Sequence, residues 1–492
     1  MKKLSAIIIA MALLLGMSQC KKENTNTAEG KKVYITMKTD AGDRHIVYPG
    51  TGAVVYNNGD VIYVGDGSKY IGYLTYGNGT FGGEITAPAE GSYLYFYFLG
   101  GQTLTSPSAS TTSYTISIAD QSEKLPVLSC GKSTTTYTDG NATYSCMLRN
   151  KCALVKFGFS SGVQSRVSVT GMKNVATIKF NDTENPIAAT GDPGTINLYS
   201  ESATAKWAIL LPQDAVSSAP VRAFGYSGQP SVNIPAITAN MYSTNDIQNI
   251  NCGTAYEFTV DDQGTKVQFS PGNLQYIGSA STPYWKFADN QWDCLGTTTG
   301  QNSSNTNVDR DLFGWGTWSG TSEQLDPNQT STTNSDYSWK GDEYFHGFSN
   351  SSESGWRTLT MAEWEYLFYD RSDKWGMAEV AGVKGAIILP DDFEEPSGVN
   401  SFISWGNGNS DWSDNNYNED AWAAFQTAGA VFLPAAGFRF VWGVDDVGVR
   451  VYYWSSTANE DDEAWYMEID DSGVSTFSDY GRCYGYSVRL VR

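Results

Sequence analysis

Trp356-Arg357-Thr358-Leu359-Thr360-Met361-Ala362-Glu363-Trp364-Glu365-Tyr366-Leu367 is the stretch of this 492-residue chain that decides how its C-terminal part folds. Thr360 followed by Glu363 is a capping-box pattern: the threonine oxygen takes the Glu363 N–H while the glutamate reaches back to the Thr360 N–H. Trp364, Leu367 and Phe368 fall at i, i+3 and i+4, one apolar stripe of a helix facing a core. A second helix is predicted over residues 420–428, with Trp422 and Phe425 on one side and Gly429 as its stop. Downstream the period changes to two: Trp465, Met467 and Ile469 face one way, Tyr466 and Glu468 the other. Tyr486-Ser487-Val488-Arg489-Leu490-Val491 reads as a closing strand. Two helices among small strands and many loops make an α+β layout.

Two independent properties mark where this unit begins. Fourteen of the fifteen tryptophans lie between Trp285 and Trp465, leaving only Trp207 outside. Residues 1–261 carry nineteen acidic and nineteen basic side chains, whereas residues 262–492 carry thirty-four acidic against thirteen basic. The whole formal charge of −21 therefore belongs to the C-terminal part. A coincident shift in aromatic content and charge is a domain boundary. Such a charge argues against nucleic acid and anionic headgroups as partners.

Residues 30–261 read as all-β. Val33-Tyr34-Ile35-Thr36-Met37, Val61-Ile62-Tyr63-Val64 and Ser92-Tyr93-Leu94-Tyr95-Phe96-Tyr97-Phe98 are strand segments, separated by turn signals such as Asn58-Gly59-Asp60 and Asn78-Gly79. Lys151-Cys152-Ala153-Leu154-Val155-Lys156-Phe157 opens a second strand set, which runs through Trp207-Ala208-Ile209-Leu210-Leu211-Pro212. Many short strands with such turns indicate sandwiches, expected over residues 31–148 and 149–261. Before them, Met1-Lys2-Lys3 and the apolar run 4–17 resemble a bacterial lipoprotein signal ending at Ser18-Gln19-Cys20, with Cys20 the lipidated residue and 20–30 a polar tether. Membrane contact is then expected only through that anchor.

The strand segments Ser92 to Phe98, Arg149 to Phe159 and Trp207 to Pro212, together with the lipoprotein signal, resemble the fimbrillin-like surface lipoproteins of Bacteroidales. That resemblance implies two tandem β-sandwiches, an outer-membrane or fimbrial location, and linkage to other fimbrial subunits by strand donation. The Trp356 to Leu367 stretch is similar to the signature of the formylglycine-generating-enzyme superfamily, and Gly485-Tyr486-Ser487-Val488-Arg489-Leu490-Val491 to its closing strand. Tyr453-Trp454-Ser455-Ser456-Thr457 and Phe432-Leu433-Pro434-Ala435-Ala436-Gly437 are similar to the major paralogous domain of Bacteroidales and Fibrobacter lipoproteins. These imply a C-type-lectin-like fold over residues 262–492. The superfamily's oxidase chemistry needs a cysteine pair near the C-terminus. Cys483 stands alone there, so a non-enzyme is expected, with a catalytic protein of that superfamily or a purely structural fimbrial protein as alternatives.

The expected activity is recognition of a glycan or a host or bacterial surface protein by an adhesin or fimbrial tip subunit. Residues 391–420 are rich in Asp, Asn, Gly and Ser and hold Trp405 and Trp412. Dense oxygen ligands suit calcium, and an open aromatic face stacks on a sugar ring. Glu394-Glu395-Pro396-Ser397 and Trp412-Ser413-Asp414 resemble calcium-lectin motifs, departing from them at the asparagine positions. Trp405, Trp412, Asp411 and Asp414 are thus candidate ligand contacts, and Glu395 and Asp414 candidate calcium ligands. The same composition also suits a polar loop whose tryptophans pin it to the core. His45 and His346 are the only histidines, and no CxxC occurs, which argues against histidine-built zinc sites and His-containing triads. Of the six cysteines after Cys20, Cys294 and Cys483 alone fall in the C-terminal part and are the expected disulfide.

Overall fold

The computed structural model describes residues 30–39, 56–122, 124–135, 141–163, 165–238, 246–280, 283–297, 300–302, 307–316, 330–337, 356–460 and 462–492. The apolar run 4–17, Cys20, the expected tether up to residue 29 and both histidines lie outside them. Among the described residues no helix is long and apolar enough to cross a membrane.

Eight of the first nine strands form one sheet. Its spatial order is Asn141–Cys146, Lys32–Thr39, Thr80–Thr86, Tyr70–Gly77, Val61–Gly65, Tyr93–Leu99, Leu128–Thr134 and Arg149–Asn150. Lys32–Thr39 runs parallel to Asn141–Cys146 and antiparallel to Thr80–Thr86. Eight strands laid flat would span roughly 34 Å from first to last. One core nevertheless gathers Tyr144 and Cys146 from one end with Phe96, Phe98 and Leu148 from the other, so the sheet curls around it. Tyr93–Leu99 shows why the sequence favours this. Leu94, Phe96 and Phe98 enter the curled core, while Tyr97 and Leu99, on the opposite side of the pleat, enter a second core. That second core also holds Ile116, Ile118, Phe180, Trp207 and Ile209 from the following strands.

The next unit is a two-sheet sandwich. One sheet orders Tyr199–Ser202, Ala205–Leu210, Ala153–Phe159 and Asp246–Ile250; the other orders Ile187–Asn197, Val167–Lys179, Val216–Ala223 and Ser231–Ile234. Their inner faces meet in a core that includes Val155, Phe157, Val169, Ala208, Leu210 and Val221. The expected break at residue 148 is crossed twice. Ser113–Ser117 pairs with Val167–Lys179, and Arg149–Asn150 returns to the first sheet beside Leu128–Thr134.

Beyond Phe258–Thr259 the chain forms the unit read first in the sequence. Thr360 caps helix α1 (Met361–Glu365) with both arms of the capping box in place. The helix continues as a π-helical turn, Tyr366–Asp370, which carries Leu367 and Phe368 into the core beside Trp364. Helix α2 (Glu419–Thr427) starts one residue before its expected position because the Asn418 side chain accepts from the Ala421 N–H. Trp422 and Phe425 are its buried residues. The small sheets are Asn416–Tyr417/Trp375–Val380/Val383–Ile388/Val431–Pro434 and Val451–Asn459/Glu463–Asp470/Gly473–Gly481. Met467 and Ile469 enter the core under α1, while Tyr466 enters a separate core with Trp315, Trp356, Trp454 and Tyr486. Both faces of that strand are therefore apolar, which the alternation alone does not show. The closing strand Leu490–Val491 pairs with Arg357–Thr358, and Gln268 and Arg492 exchange backbone hydrogen bonds of 2.9 and 3.0 Å. The two ends of the unit are tied side by side.

Candidate ligand-binding surfaces

The loop 391–420 is held down by the groups that drew attention to it. Trp412 is 3% exposed, lies in the core under α1, and donates its indole N–H to Asp471 Oδ1 at 2.5 Å. Trp405 packs against the same core and stacks on Trp375 with ring centroids 5.1 Å apart and planes 18° from parallel. Buried Asn409 and Asn415 clamp the loop to the neighbouring strand. Met377 N–H donates to Asn409 Oδ1 (2.6 Å), and both asparagine amides donate to the Met377 carbonyl (3.1 and 2.9 Å).

The candidate ligand contact Asp411 and the candidate calcium ligands Asp414 and Glu395 accept hydrogen bonds from their own loop. Asp411 accepts from the Ser413 N–H and hydroxyl (2.8 and 2.7 Å), which hold its carboxyl below the usual range. Asp414 accepts from the N–H groups of Ser410 and Asp411 (2.8 and 3.0 Å), and Glu395 from that of Phe402 (2.7 Å). No cluster of three or more His, Cys, Asp or Glu side chains suited to a metal occurs among the described residues. The structure thus corrects the reading of Trp412 as an open sugar platform. A buried indole with its N–H occupied offers no face to a ligand, and short polar side chains in a loop cap turns as readily as they bind cations.

The expected Cys294–Cys483 disulfide is corrected as well, since both are free thiols. Cys294 has its thiol pushed up to about 11 by burial and by the charges of Asp311 and Asp293. Cys483 lies beside Tyr337 and Arg439, and its N–H donates to Asn334 Oδ1 at 3.2 Å.

Among the described residues of this unit, Asp311 is the buried carboxyl. Its Oδ2 accepts from the Leu295 N–H at 2.6 Å, and desolvation raises its pKa to about 6. The unfolded value is about 4. Protonation therefore favours the folded state, a contribution complete below about pH 4 and lost as pH rises through about 6. Two pKa units correspond to about 3 kcal/mol. Asp311→Asn is expected to remove that pH slope, read from urea unfolding midpoints between pH 4 and pH 7. Identical slopes in variant and parent would refute the assignment.

An open aromatic surface does exist, elsewhere. The hairpin Phe438–Phe440/Gly443–Asp445 turns at Val441 and Trp442, which are 55% and 67% exposed. Phe438, Phe440 and Trp442 alternate onto one side. Phe440 meets Trp442 edge to face (4.4 Å) and stacks on Tyr484 (4.2 Å, 16°), and Tyr484 meets Tyr480 edge to face (4.4 Å). Tyr480, Val447 and Val449 are also exposed. The hairpin is rooted at buried Arg439, whose backbone exchanges 2.8 Å hydrogen bonds with Gly485 and whose Nε donates to the Leu312 carbonyl at 3.1 Å. The result is a ridge of four rings running outward from the core. Its sequence signal was the alternation Phe438-Arg439-Phe440-Val441-Trp442, but alternation does not say which rings stay uncovered.

No family model matches the chain, and no curated protein matches it. Similar solved structures include a candidate cell-adhesion protein from Bacteroides uniformis, 17% identical over 42% of this chain and 96% of that one, TM-score 0.28. A fimbrial assembly protein from Parabacteroides distasonis is 13% identical over 48% of this chain and 93% of that one, TM-score 0.27. A fimbrial protein from Bacteroides ovatus is 12% identical over 93% of this chain and 98% of that one, TM-score 0.27. These neighbours are Bacteroidales cell-adhesion and fimbrial proteins.

Proposed function

We propose that the chain is a lipid-anchored outer-membrane protein acting as an adhesin or fimbrial tip subunit. Its C-type-lectin-like C-terminal unit recognises a glycan on the ridge Trp442, Phe440, Tyr484 and Tyr480, and its β-rich N-terminal part carries that unit away from the membrane and joins other fimbrial subunits by strand donation. The observation that supports this most directly is Trp442, 67% exposed yet continuous with rings anchored in the core. A rigid aromatic face open to water is the surface on which the C–H face of a sugar stacks, and it needs no metal. A contiguous exposed apolar patch of this kind marks a recognition surface.

The test is a glycan array probed with the soluble chain (residues 21–492) and its Trp442→Ala variant. A central tryptophan contributes about 2 kcal/mol or more, so the variant should bind the recognised glycans roughly thirty-fold more weakly. Its melting temperature should stay unchanged, because the side chain supports no core. Equal staining of the same glycans by both proteins would sink the ridge as the binding face, and staining of none would favour a protein ligand.

A further inference from the structure

A second surface is set apart from the ridge. Where the sandwich meets the C-terminal unit, a cleft of about 190 Å³ is bounded on one side by Arg166, Ser168, Asn197, Arg222 and Gln229 and on the other by Asp289, Gln426 and Thr427. Arg166 ties the two sides together: its Nη2 meets Asp289 Oδ1 at 2.5 Å and its Nη1 donates to the Asp289 carbonyl at 3.1 Å. Lys286 occupies the other oxygen, Oδ2, at 2.8 Å. The one carboxylate of the cleft is therefore matched by two cations. Arg222 adds a further positive charge, exposed and without a side-chain hydrogen bond or ion pair among the described residues. In a chain of net charge −21 this is a local reversal of sign.

The neutral groups point to the rest of the ligand. The side chains of Ser168, Asn197, Gln229, Gln426 and Thr427 likewise make no hydrogen bond among the described residues, so amides and hydroxyls from both units converge unpaired on one space. Phe224 and Tyr226 supply ring surface, and the Tyr226 hydroxyl is fixed on the Gly162 carbonyl at 3.4 Å. A guanidinium fork matches a carboxylate, amides and hydroxyls match sugar hydroxyls, and a ring matches the sugar's C–H face. The volume is below the ~300 Å³ of drug-sized pockets and suits a single sugar ring. We propose that this junction cleft binds a carboxylate-bearing sugar residue, such as a uronic or sialic acid, with Arg222 taking the carboxylate.

Calorimetric titration of the soluble chain tests this, using D-glucuronic acid, D-galacturonic acid, N-acetylneuraminic acid, D-glucose and inorganic phosphate at low salt. At least one of the acids should bind saturably, ten-fold or more tighter than glucose and phosphate. Arg222→Gln should weaken that binding at least ten-fold with an unchanged melting temperature, while Trp442→Ala leaves it intact, which separates this site from the ridge. No saturable binding of any acid up to about 10 mM would overturn the proposal. Equal binding of glucose or phosphate, or an Arg222→Gln variant that binds like the parent, would also overturn it.

Discussion

Trp364→Ala is expected to destabilise the C-terminal unit by about 3–5 kcal/mol, the range for deleting a large aromatic from a core. Trp364 is 0% exposed and lies among Phe269, Phe368 and Tyr453, with ring centroids 6.5, 5.9 and 6.0 Å away. Its indole N–H donates to the Trp454 carbonyl at 3.4 Å. Alanine leaves both a void and one fewer donor, and the helix that would have to move to fill the void is pinned by its capping box. The capped helix therefore cannot move inward to fill the void without breaking the Thr360 cap. Urea unfolding of the full chain followed by circular dichroism should show an early transition for the C-terminal unit, with the N-terminal β region unfolding as in the parent. A loss below about 1 kcal/mol would mean that the site collapses freely.

Gly437→Ala should damage both stability and ligand binding. Gly437 sits at φ +69°, and a Cβ there would press on the Asp445 carbonyl oxygen, with Val447 N only 2.8 Å away. The left-handed backbone alone costs a non-glycine residue about 1–3 kcal/mol. The clash is with backbone, so relief requires the strands of the ridge hairpin to part. Gly448 provides the control, because its φ is +73° but a Cβ there meets nothing within 4 Å. Gly448→Ala should lower the melting temperature modestly and keep the ridge. Gly437→Ala should lower it further and lose glycan binding along with the Trp442 side chain's position. Equal effects from the two substitutions would show that backbone conformation, not the crowding at Gly437, sets the response.

What could be read in advance was what local chemistry decides. The Thr360–Glu363 box, the Trp364/Leu367/Phe368 stripe and the end of α2 before Gly429 each depend on residues within a turn or two of one another. The strand through Phe96 and Tyr97 was legible as a strand, but its membership of two cores was not, because the second core is completed by Trp207 and Ile209 more than a hundred residues later. The pairing of Ser113–Ser117 with Val167–Lys179 was hidden for the same reason. In the loop 391–420 the composition was ambiguous in kind. Asn409 and Asn415 have the same oxygens whether they face a cation or, as found, the Met377 backbone. The ridge eluded the sequence reading because the exposure of Trp442 follows from where Arg439 meets Gly485 across the sheet edge.

The strand Tyr93–Leu99 also bears on how the molecule carries load. With Leu94, Phe96 and Phe98 in one core and Tyr97 and Leu99 in the next, it works as a lap joint between the curled sheet and the sandwich. Under the proposed function, drag on a ligand held at the C-terminal end passes along the chain to the proposed anchor at the other. At this joint it has to shear two packed interfaces together instead of peeling one. A substitution that loosens this strand in one core therefore disturbs the other as well.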